Sequence, residues 1–140
     1  MNIASILVAA LACFIIGFLA HGPIGGKLWM KLANVTPPSP EECKNMWGKM
    51  WKQMVWNYVA NVVTAYVLGG VIFTATLAYG PLDWYRGAIA GVWIFVGFIV
   101  TGSSMEVIWM GRKVKHWLFE VVTGAICFAV MGAILAGWMM

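Results

Sequence analysis

Apolar residues along this chain run on in four long stretches, about 3–20, 54–78, 85–110 and 116–138, with short polar segments between them. A bilayer core roughly 30 Å thick is crossed by about 20 largely apolar residues in a helix. Each stretch therefore predicts one spanning helix. The whole chain, 1–140, predicts a single integral membrane domain, an all-α four-transmembrane-helix bundle. No Lys or Arg precedes the first stretch, and it exceeds the roughly 7–15 apolar residues of a signal-peptide core, so it is expected to be retained as a span.

The segments between the stretches are as patterned as the stretches themselves. In "TPPSP" (36–40) the prolines forbid helix. Ser39, Pro40 and Glu42 then supply an N-cap, a proline at N1 and a capping-box acid at N3. Beyond them Met46, Trp47, Met50, Trp51, Met54 and Val55 recur at helical spacing, with Lys44, Lys49 and Lys52 between. This predicts an amphipathic helix that either lies in the membrane interface or runs directly into span two. A soft-metal role for the Met46/Met50/Met54 stripe is the rarer use of such a pattern, and an apolar packing face is the expected one. Between spans two and three, "YGPLDWYRG" (79–87) predicts a tight turn, with Asp83 capping span three, Trp84 and Tyr85 as interfacial anchors, and an Asp83–Arg86 pair.

Charge gives the spans a direction. Lys27, Lys31, Lys44, Lys49 and Lys52 fall between spans one and two, and Arg112, Lys113 and Lys115 between spans three and four. Arg86 alone falls on the other side. Lys and Arg resist translocation, so loops one and three are expected in the cytoplasm and both termini outside, in a bacterial inner membrane. Composition agrees: 62% of the 140 residues are hydrophobic, 10% are charged and the mean hydropathy is +0.84, against about 25% charged in a soluble domain. The net charge of +4 follows from topology, and no nucleic-acid partner is expected. Cys13, Cys43 and Cys127 form no disulfide framework.

Where span one runs out, "HGPIGGKLWM" (21–30) crowds a histidine, three glycines, a proline and a lysine together. It is not a phosphate loop: three residues rather than four separate Gly22 from Gly26, and Leu28 follows Lys27. As an elbow every residue has a use. Gly22 and Pro23 end the span, Gly25 and Gly26 let the chain fold back, and Lys27, Trp29 and Lys31 anchor it at the interface.

The opening "MNIASILVAALACFIIGFLAHGPIGGKLWMKLANVT", the later "WMGRKVK" and the closing "MGAILAGW" resemble a family of small bacterial four-helix membrane proteins, catalogued as domain of unknown function 1761. The resemblance covers essentially the whole chain and is most specific at the Gly-Pro–Gly–Trp-Met elbow. It implies a multi-pass inner-membrane protein and carries no activity or catalytic residue with it. Members often have an aromatic before Gly-Pro where this chain has His21, so a role for His21 is not expected to be general.

Ionisable residues within spans cost about 2.5–3.5 kcal/mol at mid-bilayer by insertion scales, and each needs a reason. Glu106 and Glu120 fall at similar depth on either side of the 111–115 turn, His116 shares a face with Glu120, Asn57 and Asn61 lie one turn apart on span two, and His21 ends span one on the same side. Two readings stay open. In one, His21, Asn57, Asn61, Glu106, His116 and Glu120 form one inward-facing polar site that relays protons, holds a cation or binds a head group. In the other, the glutamates reach the interface and pair with Arg112, Lys113 or Lys115, while the asparagines bond helices together. No metal-ligand, cofactor or catalytic motif is present.

Small residues recur at four-residue spacing: Ser5, Ala9, Cys13 and Gly17 on span one, Ala125, Ala129, Ala133 and Gly137 on span four, and Gly87 with Gly91 on span three. They either hold the bundle together or make it a homo-oligomer among membrane lipids. The first functional expectation is a homo-oligomeric channel or carrier for a small ion, proton or solute. The alternatives are an accessory subunit of a larger membrane complex and a membrane enzyme acting on a lipid or quinone.

Overall fold

The structure, a computed structural model, describes residues 1–139, the side chain of Trp47 apart, so that this member of the Met/Trp stripe lies outside the described residues. It is helical throughout: α1 (Ile3–His21), α2 (Gly26–Ala33), α3 (Pro40–Tyr79), α4 (Trp84–Ile94), α5 (Thr101–Met110) and α6 (Val114–Met139). A π-helical turn, Phe95–Val100, joins α4 to α5 in one continuous rod, span three. Four helical segments are long and apolar enough to cross a membrane: Ile3–His21, Gly48–Tyr79, Trp84–Met110 and Val114–Met139.

The start of α3 follows its local chemistry. Ser39 Oγ accepts from the Glu42 backbone N–H, and Glu42 Oε2 accepts from that of Ser39, a complete capping box with Pro40 at N1. The helix then runs without a break into span two. The amphipathic 40–53 stretch is thus the first part of a 40-residue helix, about 60 Å long and roughly twice what a bilayer core needs. At the 80–83 turn, by contrast, Asp83 takes the N-cap position without a side-chain cap bond. Arg86 turns to its neighbour, Nε donating to Tyr85 Oη at 3.1 Å. The expected Asp83 cap and Asp83–Arg86 pair are not formed; the Tyr85 ring and hydroxyl offer Arg86 a nearer partner.

Packing is organised by α6, which touches α1, α3 and α4, whereas α3 and α4 barely meet. The core lies where α1, α3 and α6 converge: Ile6, Ala9, Ala10 and Cys13 against Ala65, Leu68 and Ile72 and against Cys127, Met131, Leu135 and Ala136. The Ser5/Ala9/Cys13 stripe is consumed inside the molecule. Span three lies on the other flank of α6, where a Cβ on Gly91 would collide with the Phe128 carbonyl and one on Gly132 with the Gly87 carbonyl. On α6 the close-approach face is Phe128, Gly132 and Ala136, displaced from the expected Ala125/Ala129/Ala133/Gly137 stripe because the backbones meet at a glycine pair. Most large apolar side chains point outward, with Trp93, Phe98 and Trp109 75%, 76% and 79% exposed.

This contact gives a sharp contrast between glycines. Gly132→Ala is expected to lower the unfolding free energy by about 1–3 kcal/mol through overpacking against backbone that cannot yield. Gly102→Ala, whose Cβ would meet nothing within 4 Å, is expected to leave it unchanged or raise it by up to about 1 kcal/mol. Reversible unfolding in mixed detergent micelles measures both.

Candidate functional site

The elbow ends α1 and turns the chain back on itself. Gly25 is needed because a Cβ there would collide with the Ala20 carbonyl and sit 3.2 Å from the Phe119 ring. The fold-back lays α2 against the end of α1 and the start of α6, and this brings together residues far apart in sequence. His21 Nε2 lies 2.9 Å from Glu120 Oε1. The Trp29 indole N–H donates to the same oxygen at 2.8 Å, and His116 Nε2 stands 3.7 Å from it, too far for a direct bond. The His21 ring is held edge-on between Trp29 and Phe119, with centroids 5.6 and 5.8 Å away.

Hydrogen-bond logic assigns the protons. His21 Nδ1 lies 2.9 Å from the Gly17 carbonyl oxygen, which can only accept, so Nδ1 carries hydrogen. On the other side of the ring Nε2 meets a carboxyl oxygen at bonding distance, and that contact requires a proton on the line between them. It resides on His21, as an imidazolium–carboxylate pair, or on Glu120, as an imidazole–carboxylic acid pair. Either way one exchangeable proton is held between α1 and α6.

The opposite tautomer belongs to His116. Arg112 Nε, always a donor, points at His116 Nδ1 from 3.4 Å. The hydrogen is therefore on Nε2, the one buried side-chain N or O atom without a partner among the described residues. Arg112 also pairs with Glu106 through its Nη1, and the Trp117 indole donates to Ser103 Oγ at 2.9 Å. A chain of polar groups thus runs from Glu106 at the rim through Arg112 and His116 to Glu120 and His21.

Each member of the pair lines a cavity of its own. On the His21 side is a space of about 460 Å³ between the end of α1, the elbow and α3, walled by Phe14, Phe18, Met50 and Met54, with Asn57 at its edge. On the Glu120 side is one of about 230 Å³ that includes Arg112, Ser103 and Trp117.

The six sequence-predicted residues therefore separate into groups. His21, His116 and Glu120 come together. Glu106 joins them only through Arg112, as in the surface-pairing reading, whereas Glu120 has no Lys or Arg partner among the described residues. Asn57 and Asn61 form their own link: Asn61 donates to Asn57 at 3.2 Å and accepts from the Cys13 thiol at 3.6 Å, across the larger cavity from His21. Trp29, read from the sequence as an interfacial anchor, is turned inward as a donor to Glu120. No local signal marks this, since its partner is 91 positions away. No group of three or more His, Cys, Asp or Glu placed to hold a metal occurs among the described residues.

The Trp29–Glu120 bond is expected to be worth about 1 kcal/mol at this half-exposed position. A double-mutant cycle of Trp29→Phe with Glu120→Leu, read by unfolding in micelles, measures it. A coupling energy of zero would remove the bond from the account.

No curated protein and no solved structure matches this chain. A model of a family described as protein of unknown function (DUF1761) matches residues 4–136, all but the ends of the chain. The elbow, the His21–Glu120 contact and both cavities fall inside that match, and the chain belongs to the DUF1761 family.

Proposed function

We propose that this is a multi-pass integral membrane protein of a bacterial inner membrane, with both termini outside, and that it carries a small solute linked to a proton through a site in the cytoplasmic leaflet. Four apolar helices and eight of nine basic residues at one end support the topology. The observation that carries the function is the proton held between His21, which lines one cavity, and Glu120, which lines another. An ionisable pair between two spanning helices is an expensive feature, and proton relays are one of its established uses.

Geometry favours the carrier branch of transport over an open channel. Beyond the site the core is closed, with Ala9, Ala65, Ile72, Met131 and Leu135 fully buried and packed together. Passage requires rearrangement, and the π turn at Phe95–Val100, which lines the Glu120-side cavity through Phe95 and Ile99, is where the α-helical ladder of span three is already interrupted. We take the working unit to be a homo-oligomer joined through span three, the least covered of the four spans, with 11% of its apolar window buried against 22–28% for the others.

Glu120→Gln keeps the shape and the acceptor oxygen for Trp29 but cannot share the proton. It is expected to lower proton uptake into proteoliposomes, followed with an entrapped pH dye, at least tenfold at unchanged protein content. Glu106→Gln, paired with Arg112 at the rim, is expected to change it less than twofold. Equal loss in both variants, or loss explained by lower incorporation, would count against the site. Native mass spectrometry from membranes tests the assembly: a discrete homo-oligomer is expected, and a second protein chain would move the reading to an accessory subunit.

A further inference from the structure

We infer that the cavity of about 460 Å³ on the His21 side is a binding site for an uncharged aromatic molecule bearing one hydrogen-bond-accepting oxygen, such as an aromatic ketone or ester. The inference rests on the reading of the His21 end as the working site and names the class of solute it takes.

The walls set the body of the ligand. Phe14 and Phe18 present ring surfaces and Met50 and Met54 flexible thioethers; both pack well against flat aromatic groups. Among the described residues no Lys, Arg, Asp or Glu lines the space, and the Nε2 of His21, the titratable group that does, is already directed at Glu120, so an ionic ligand would lose its hydration without a free opposite charge in return. The volume lies within the roughly 300–1,000 Å³ of small-molecule sites. The cavity lies against spans one and two, with Gly22 and Pro23 of the elbow at its end, and a ligand enters by first partitioning into the bilayer.

The polar edge sets the functional group. Asn57 uses its side-chain oxygen to accept from Asn61, which leaves its NH₂ as a donor at the cavity edge. Across the space, His21 Nδ1–H is held by the Gly17 carbonyl, and both residues line the cavity. Both ring nitrogens of His21 are thus engaged, by Gly17 and by Glu120, and a ligand oxygen meets one free donor, the Asn57 NH₂. Near the end of α1, Gly17 keeps this space open, with nothing within 4 Å of its absent Cβ.

Benzophenone in proteoliposomes tests this directly, because it is an aromatic ketone that on irradiation inserts preferentially at methionine. Adducts are expected on Met50 and Met54 at several times the frequency on Met105, which is 56% exposed on span three and reports the probe dissolved in lipid. Phenyl benzoate, which has a carbonyl, is expected to suppress them at about tenfold lower concentration than diphenylmethane, which has none; tenfold corresponds to one hydrogen bond. Gly17→Leu fills the cavity and is expected to abolish the Met50 and Met54 adducts while leaving the Met105 adduct. Asn57→Leu keeps the volume and is expected to erase the difference between the competitors, which decides the matter even if Gly17→Leu does not fold. Adducts as frequent on Met105 as on Met50 and Met54, or equal suppression by both competitors in the unaltered protein, would overturn the inference and make the space a slot for lipid chains. Labelling does not depend on proton movement. Selective labelling with no Glu120-dependent uptake would retire the carrier and keep the binding site; uptake without selective labelling would do the reverse.

Discussion

Glu120 Oε1 receives the His21 ring of α1 and the Trp29 indole of α2, while α6 carries the carboxyl itself. A carboxyl group six residues inside an apolar helix would be a cost with no return if lipid surrounded it. Its two bonds come from elements joined by a four-residue turn, so satisfying Glu120 and folding the elbow back are one event. If Trp29 or His21 were displaced, the carboxyl group would lose a polar partner that lipid cannot replace. His21 lines the larger of the two cavities described and Glu120 the smaller.

The rest of the packing is of the kind lipid permits. Hydrocarbon gives apolar helices no drive to associate, so contact is won by close approach. Glycines meet backbone at Gly87, Gly91 and Gly132, and the remaining core is built on alanine and cysteine with a few larger side chains. Span three is gripped along one flank by α6 and is otherwise uncovered. Its π turn accompanies the Phe95 ring, which fills the space left by Gly124 and sits 5.1 Å from Phe128.

The site joins two strategies that sequence alone kept as alternatives. Glu106 behaves as a rim carboxylate paired with Arg112, an arrangement that costs little near an interface. Glu120, at similar depth on the next helix, is turned inward to a histidine and an indole. Two glutamates nearly symmetric about one turn thus have different partners. What separates them is the fold-back of α2, which covers the face of α6 bearing Glu120 and leaves α5 uncovered.

Periodicity, run length and turn chemistry determined by themselves the helical class, the four spans, the capping box at Ser39–Glu42 and the elbow's position, because each depends on residues within a few positions of one another. The relation of His116 to Glu120 was legible for the same reason. Only the tertiary structure decided that His21 and Glu120, 99 positions apart, share a proton, that Trp29 faces inward, that Asn61 bonds to Cys13 and Asn57 and not to the histidines, and that α6 meets span three at Gly132 rather than along its alanine stripe. Those outcomes depend on which helices become neighbours and how each is rotated. In a chain whose helices are apolar nearly all round, no hydrophobic face announces that rotation; it is set by close backbone contact and by the few polar groups that must find one another.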